Sequence, residues 1–300
     1  MVKNRSMIFI NIAVFLFGLA GLFAKWIDVP AIGITLGRVF FSSISLYIYS
    51  FIVKENIRVE KKHFILLVIS GIILAFHWWS FLYSIQISTV AIGTITFSTF
   101  PLFITIIESI RNQKISILEL VSSLLIILGV FITIPEFSLS NDMFVGIIIG
   151  ILSALSYALL TLMNRYFSIY YSSTTIALYE QSSATVILLP TLLFINSTPT
   201  FKDISLLIFL GIVTTALAHT LFISSLKNVE AHKAGIISAM ASVYSILLAY
   251  LFLYEIPTVR EIIGAIIIIG VVMMIHYCLV YHPSFVGEGQ CPASTEKLQA

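Results

Sequence analysis

Charge is what this sequence has least of. Only 10% of its 300 residues are Asp, Glu, Lys or Arg while 59% are hydrophobic, giving a mean hydropathy of +1.07; soluble domains are roughly a quarter charged. A soluble enzyme or binding module is thereby excluded. Basic runs are missing as well. The net charge is +2, and no Lys- or Arg-rich stretch could track a phosphate backbone, so nucleic acid is not a partner. Cysteine is nearly absent: Cys278 lies in an apolar run and Cys291 in a polar tail, settings that suit neither a disulfide nor a metal site. Without a GxxxxGK[ST] loop, ATP is not the energy source within the chain, and without HExxH or GxSxG there is no basis for an intramembrane hydrolase. No cofactor is implied. The dyad alternation of a membrane barrel is also lacking.

What is present is a series of apolar runs of the length a helix needs to cross a hydrocarbon core, about 20 residues for roughly 30 Å. Such helices satisfy their own backbone hydrogen bonds in lipid. The runs predict an all-α membrane protein of ten transmembrane helices, at about 6–26, 30–53, 63–86, 89–110, 117–134, 143–165, 172–194, 204–225, 232–253 and 259–280. Pro30, Pro135 and Pro257 fall in the breaks, as expected of a residue that cannot donate to a helix ladder. The N-terminal apolar stretch is longer than a signal-peptide core and has no small-residue cleavage site before Lys25, so it reads as the first span. Residues 281–300 are polar and aperiodic and read as a disordered tail.

Orientation follows from Lys and Arg. One set of breaks collects Lys3, Arg5, Lys54, Arg58, Lys61, Lys62, Arg111 and Lys114, then Arg165, Lys227, Lys233 and Lys297; the other holds Lys25, Lys202 and Arg260. Both termini are therefore expected in the cytoplasm. Glu108 and Glu119 flank the turn holding Arg111 and Lys114 and read as surface ion pairs.

An internal repeat runs through the chain. "LLIILGVFITI" from Leu124 and "AIIIIGVVMMI" from Ala265 align on Gly129 and Gly270, and the same offset of about 141 residues lays "GIILAFHWWSFLYSIQ" from Gly71 beside "GIVTTALAHTLFISSLK" from Gly211. Two five-helix halves follow, 6–135 and 143–280. An odd number of spans per half makes them inverted, which is the plan of secondary transporters that bind substrate near the midplane between halves.

The "FGLAGLFAKW" first helix, the arginine in the second and "STVAIGTITFSTFPLF" in the fourth make the chain resemble the EamA-type transporters of the drug/metabolite transporter superfamily, from residue 6 to 280. That resemblance implies a multi-pass carrier of the bacterial inner membrane working by alternating access, of a family that mostly exports amino acids, related metabolites or toxic organic cations and includes some importers. Its implied partners are a small-molecule substrate, protons and the lipid bilayer, with the chain a monomer or a homodimer. The second half departs from the first at Pro101, having Ser242 and Val243 there, so a bend in the ninth helix is not written as it is in the fourth.

An ionisable side chain at mid-membrane costs about 2.5 to 3.5 kcal/mol on insertion scales, so each one inside a span asks for a function. With an offset of 142, Arg38 falls on Glu180 and His77 on His219. The sharp reading makes Glu180 a cation-recognising or proton-carrying carboxylate and His219 its partner, since imidazole exchanges protons near neutral pH. Arg38 could take a substrate carboxylate through its bidentate fork, or brace the bundle beside Gly33 and Gly37. His77, Trp78 and Trp79 lie two thirds along a helix running outward, where tryptophans also form the interfacial belt. Helical geometry puts Trp78, Leu82 and Ile85 on one face and Trp79 and Tyr83 on another, so one indole faces inward, and with Tyr83 it would offer a π surface to an aromatic group or organic cation. Tyr157 and Tyr244 are further candidates, and Gly18, Gly21, Gly146 and Gly150 are places for close helix approach. Two substrate classes follow: zwitterionic amphiphiles such as amino acids, held by Arg38 and Glu180, or organic cations, held by Glu180 and the aromatic residues alone.

Overall fold

The computed structural model describes residues 2–112, 117–133, 141–195 and 197–281, and among these every regular element is helical. The order is α1 (Val2–Ala20), α2 (Phe23–Trp26), α3 (Ala31–Ile52), α4 (Lys61–Ile87), α5 (Val90–Phe97), α6 (Phe100–Asn112), α7 (Ile117–Thr133), α8 (Asp142–Phe167), α9 (Ser173–Leu188), α10 (Phe201–Phe209), a π-helical segment Leu210–Leu217, α11 (Ala218–Leu226), α12 (Ala231–Ser238), α13 (Met240–Leu253) and α14 (Val259–Tyr281). Polar side chains start several of these helices. Thr89, Asn141 and Ser172 each accept a backbone N–H of the first turn of α5, α8 and α9, and Thr200 with Asp203 forms a reciprocal capping box at α10.

Eight helical segments of the described residues are long and apolar enough to cross a membrane: Arg5–Trp26, Ala31–Ile52, Lys61–Ile87, Val90–Glu108, Asp142–Phe167, Ser173–Leu193, Phe201–Leu226 and Lys233–Leu253. The further helices α7 and α14 pack against each other. The expected tail, Pro135, Cys291, Lys297 and the side chains of Arg111, Lys114, Glu119 and Cys278 lie outside what is described.

Burial is inverted relative to a soluble protein. Phe51, Ile65, Ile110, Val186 and Leu251 are exposed, whereas Arg38, Glu180, Gln181 and His219 have no exposed surface at all. That is the arrangement lipid selects, since apolar side chains gain nothing by leaving it and polar ones gain partners inside the bundle.

α4 packs on α8 and α9, α1 on α11 and α13, α3 on α9 and the π segment, and α5 on α8 and α13. α4 and α8 run antiparallel: Gly146, at the start of α8, meets Ser84 and Ser88 at the end of α4, while Phe167 at the other end meets His63 at the start of α4. Gly146 is needed there, because a Cβ would come within 2.8 Å of Ser88 Cβ.

The fourth span breaks between α5 and α6, just before Pro101. The ninth breaks too, at Ala239 between α12 and α13, with no proline. Small hydroxyl residues make that second bend: Ser238 donates to the Ala234 carbonyl at 2.8 Å and Ser242 to the Ala239 carbonyl at 2.8 Å, the back-bonding that bends helices.

Candidate substrate site

α3 carries Arg38 into the centre of the bundle. Its guanidinium carbon lies 3.3 Å from the ring centroid of Trp78, a cation-π contact. Nε donates to Thr215 Oγ1 at 3.0 Å, and both terminal amino groups, Nη1 and Nη2, are buried with no hydrogen-bond partner. Thr215 reaches Arg38 because it belongs to the π-helical segment, where its hydroxyl donates to the carbonyl of Leu210, five residues back, at 2.8 Å. Six residues separate Gly71 from His77, but eight separate Gly211 from His219. The wider π turns take up the surplus, and such turns recur at functional sites.

α9 supplies Glu180 and α11 His219. His219 Nε2 donates to Glu180 Oε2 at 2.7 Å, both side chains being fully buried, while Glu180 Oε1 and His219 Nδ1 have no partner. Two glycines allow close approaches beside these groups, Gly71 of α4 against α9 and Gly211 of the π segment against α3. A Cβ on Gly71 would lie 2.5 Å from Ser183 Cβ and 2.7 Å from the Glu180 carbonyl; one on Gly211 would lie 2.6 Å from Phe41 Cβ and 2.9 Å from the Arg38 carbonyl. Ser183 and Glu180 stand 142 residues after Phe41 and Arg38.

Between these groups is an aromatic hub. Tyr157 of α8 is ringed by His77 at 4.6 Å, Phe97 and Phe100 at 5.2 Å and Phe222 at 5.8 Å. His77 is pinned to α8: Nδ1 donates to the Ser153 carbonyl at 3.1 Å and lies 2.9 Å from its hydroxyl, which donates back to the His77 carbonyl at 3.1 Å. His77 lies within electrostatic reach of both Arg38 and His219, and Tyr157 of Glu180. A void of about 20 Å³ opens here, lined by Phe17, His77, Trp78, Thr94, Tyr157 and Ser242. It has room for about one water, so the bundle is closed around the site in this conformation.

The structure thus gathers Arg38, His77, Trp78, Tyr157, Glu180 and His219 into one core. It does not bring Trp79, Tyr83 and Tyr244 there. Trp79, half-buried at the edge of the core, and Tyr83, exposed, stack on each other with centroids 5.7 Å apart and planes within 10°, so the fully inward indole is Trp78 and Tyr83 is not beside it. Tyr244 lies edge-on to Phe15 at 5.5 Å. Sequence reading missed Thr215, Ser153, Thr161, Asn164 and the packing role of Gly71 and Gly211. Tyr157, Thr161 and Asn164 recur on one face of α8, and Thr161, Asn164 and Gln181 all bury side-chain polar atoms without partners; that spacing was the available signal.

A model of the EamA-like transporter family matches the chain twice, over residues 4–134 and 144–277. An uncharacterized transporter of Archaeoglobus fulgidus is 22% identical, over 86% of this chain and 92% of its own. S-adenosylmethionine uptake transporters of Rickettsia bellii and Rickettsia felis are 26% and 27% identical, each over 80% of this chain and 81% of their own. One solved crystal structure superposes with a TM-score of 0.71 at 15% identity, covering 90% of this chain and 96% of that one, a likeness of fold.

Proposed function

The chain belongs to the EamA-like transporter family, and from that premise we propose that it is a proton-coupled carrier of zwitterionic amphiphiles of the amino-acid type, working by alternating access between two inverted five-helix halves, 6–135 and 143–280. In this reading it lies in the inner membrane with both termini cytoplasmic and exports its substrate against inward proton flow. One observation carries the proposal: Arg38, with two unpartnered amino groups, and the Glu180–His219 pair, with one unpartnered oxygen, are buried around the same aromatic hub. A guanidinium fork suits a carboxylate. The glutamate suits an ammonium or a proton, and one site cannot hold both cations at once without strong repulsion. That exclusivity is what exchange requires. The matched approaches of Gly71 on α9 and Gly211 on α3 support the inverted halves.

The test is charge movement on a solid-supported membrane carrying reconstituted protein, with amino acids against aromatic and quaternary amines, with and without a pH gradient. Currents with amino acids that Arg38→Gln and Glu180→Gln both abolish are expected. Currents with amines alone, spared by Arg38→Gln, would instead make it an organic-cation exporter. A second reading is uptake of a sulfonium zwitterion, favoured by the name of the Rickettsia relatives, S-adenosylmethionine uptake transporters. Its amino-acid end would use the same Arg38 and Glu180, and the direction of the current decides between the two.

A further inference from the structure

Two basic side chains outside the core each bridge separate helices, one at each end of the bundle. Lys25, at the end of the first span, donates through Nζ to the Ser88 carbonyl at 2.8 Å and to the Gln86 carbonyl at 3.4 Å, where α4 turns into α5. Arg165, at the end of α8, donates through Nη1 to the carbonyls of Leu226 and, at 2.6 Å, of Val229, where α11 turns into α12. In both places the cation meets one carbonyl in the last turn of a helix, Gln86 or Leu226, at the negative end of its dipole, and one carbonyl just beyond that end, Ser88 or Val229. The two contacts correspond in the chain: 140 residues separate Lys25 from Arg165 and Gln86 from Leu226, and 141 separate Ser88 from Val229.

They stand at opposite ends of the bundle. Lys25 grips the end of α4, where α8 begins at Gly146; Arg165 lies at the far end of α8, which meets the start of α4 at His63. Thr94 of the central void lies toward the Lys25 end, 3.6 Å from a Cβ on Gly21, and Thr161 lies between the hub and Arg165. Unlike Arg38, both latching side chains are reachable by water: Lys25 is exposed and Arg165 half-buried. Water can therefore replace either set of carbonyls, since the bonds lost are largely offset by those that solvent offers in exchange, and such contacts can open and reclose.

We propose that Lys25 and Arg165 are matched positioning residues of the transport cycle, each closing one end of the pathway by clasping the elbow between a spanning helix and the half-helix that follows it. Release of one clasp opens its own end while the other keeps the far end closed. This rests on the alternating-access reading above, but its test needs no substrate, so failure to find a transported compound and failure of the clasps are separate results.

The experiment uses the full chain in lipid vesicles with Cys278→Ser and Cys291→Ser, and a single reporter at Thr94→Cys or Thr161→Cys. A membrane-impermeant maleimide is added from either face. Lys25→Gln should raise the labelling rate at Thr94→Cys about tenfold from the Lys25 face and leave or slow Thr161→Cys; Arg165→Gln should do the reverse. Lys25→Arg and Arg165→Lys should restore the slow rates and report whether loss reflects the charge or misfolding. Equal acceleration at both reporters, or no change at either, would overturn the proposal, because general loosening has no side.

Discussion

Removing both members of the Glu180–His219 pair should cost less than the two single losses added together. The 2.7 Å contact has no solvent on either side, and breaking a buried pair from one side leaves the other group uncompensated, typically at 3 to 5 kcal/mol. His219→Leu leaves both Glu180 oxygens without a partner, since Oε1 already has none, and should destabilise by about 3 to 5 kcal/mol. Glu180→Gln keeps an acceptor for Nε2 and should cost about 1 to 2 kcal/mol, the value of a hydrogen bond weakened but not orphaned. The double variant Glu180→Gln with His219→Leu should recover about 1 to 2 kcal/mol of the sum of the singles, because a neutral amide is cheaper to bury than a carboxylate. Unfolding in mixed micelles, followed by tryptophan fluorescence, reads all three. Additive losses would refute the reasoning, since they would mean that the two side chains do not share one buried interaction.

Gly71→Leu should abolish transport and lower stability by at least 1 to 3 kcal/mol, the cost of overpacking, because a Cβ there meets the backbone of α9 at Glu180. Gly270→Ala, with open space around its Cβ, should be neutral or stabilise by up to about 1 kcal/mol in thermal unfolding. Trp78→Leu should reduce transport at least tenfold by uncovering the Arg38 guanidinium, while Trp79→Leu, at the edge of the core, should leave the initial rate within about twofold. Burial holds the Glu255 carboxyl above its ordinary range, outweighing the Ala91 N–H and Lys25 that act the other way. A raised carboxyl favours the folded state when protonated, so this contribution is complete below the ordinary carboxylate range and is lost as pH rises through the raised value. Glu255→Gln should keep it at all pH, and melting curves from acid to neutral pH should show the variant less sensitive over that window.

How much of this was legible in the chain depended on what lipid makes expensive. Arg38, His77, Glu180 and His219 could be singled out because an ionisable group inside an apolar run costs free energy wherever it sits, and all four meet in the core. The pairing of Trp79 with Tyr83 was legible from helical geometry, but which face pointed inward was not, since both faces of α4 are apolar and aromatic. The bend in the ninth span was hidden because Ser238 and Ser242 make it through hydroxyl back-bonds, a weaker mark than Pro101. Thr215 was beyond reach for a different reason. Its contact with Arg38 depends on a π-helical stretch, and the two surplus residues between Gly211 and His219 do not by themselves say where the helix widens. Lys25 and Arg165 were not legible as partners of the carbonyls they clasp, because those carbonyls carry no sequence signature.

The measurement that bears most directly on the central claim is binding to the purified protein of three ligands sharing one side chain: an amino acid, its methyl ester and its deaminated acid. Trp78 fluorescence, isolated by Trp26→Phe and Trp79→Phe, reports each titration in this background alone, with Arg38→Gln and with Glu180→Gln. If Arg38 and Glu180 hold the two ends of one molecule, Arg38→Gln should remove the preference for the amino acid over its ester and Glu180→Gln the preference over the deaminated acid, each keeping the other preference. An Arg38→Gln protein that binds amino acid and ester with the original ratio would contradict it.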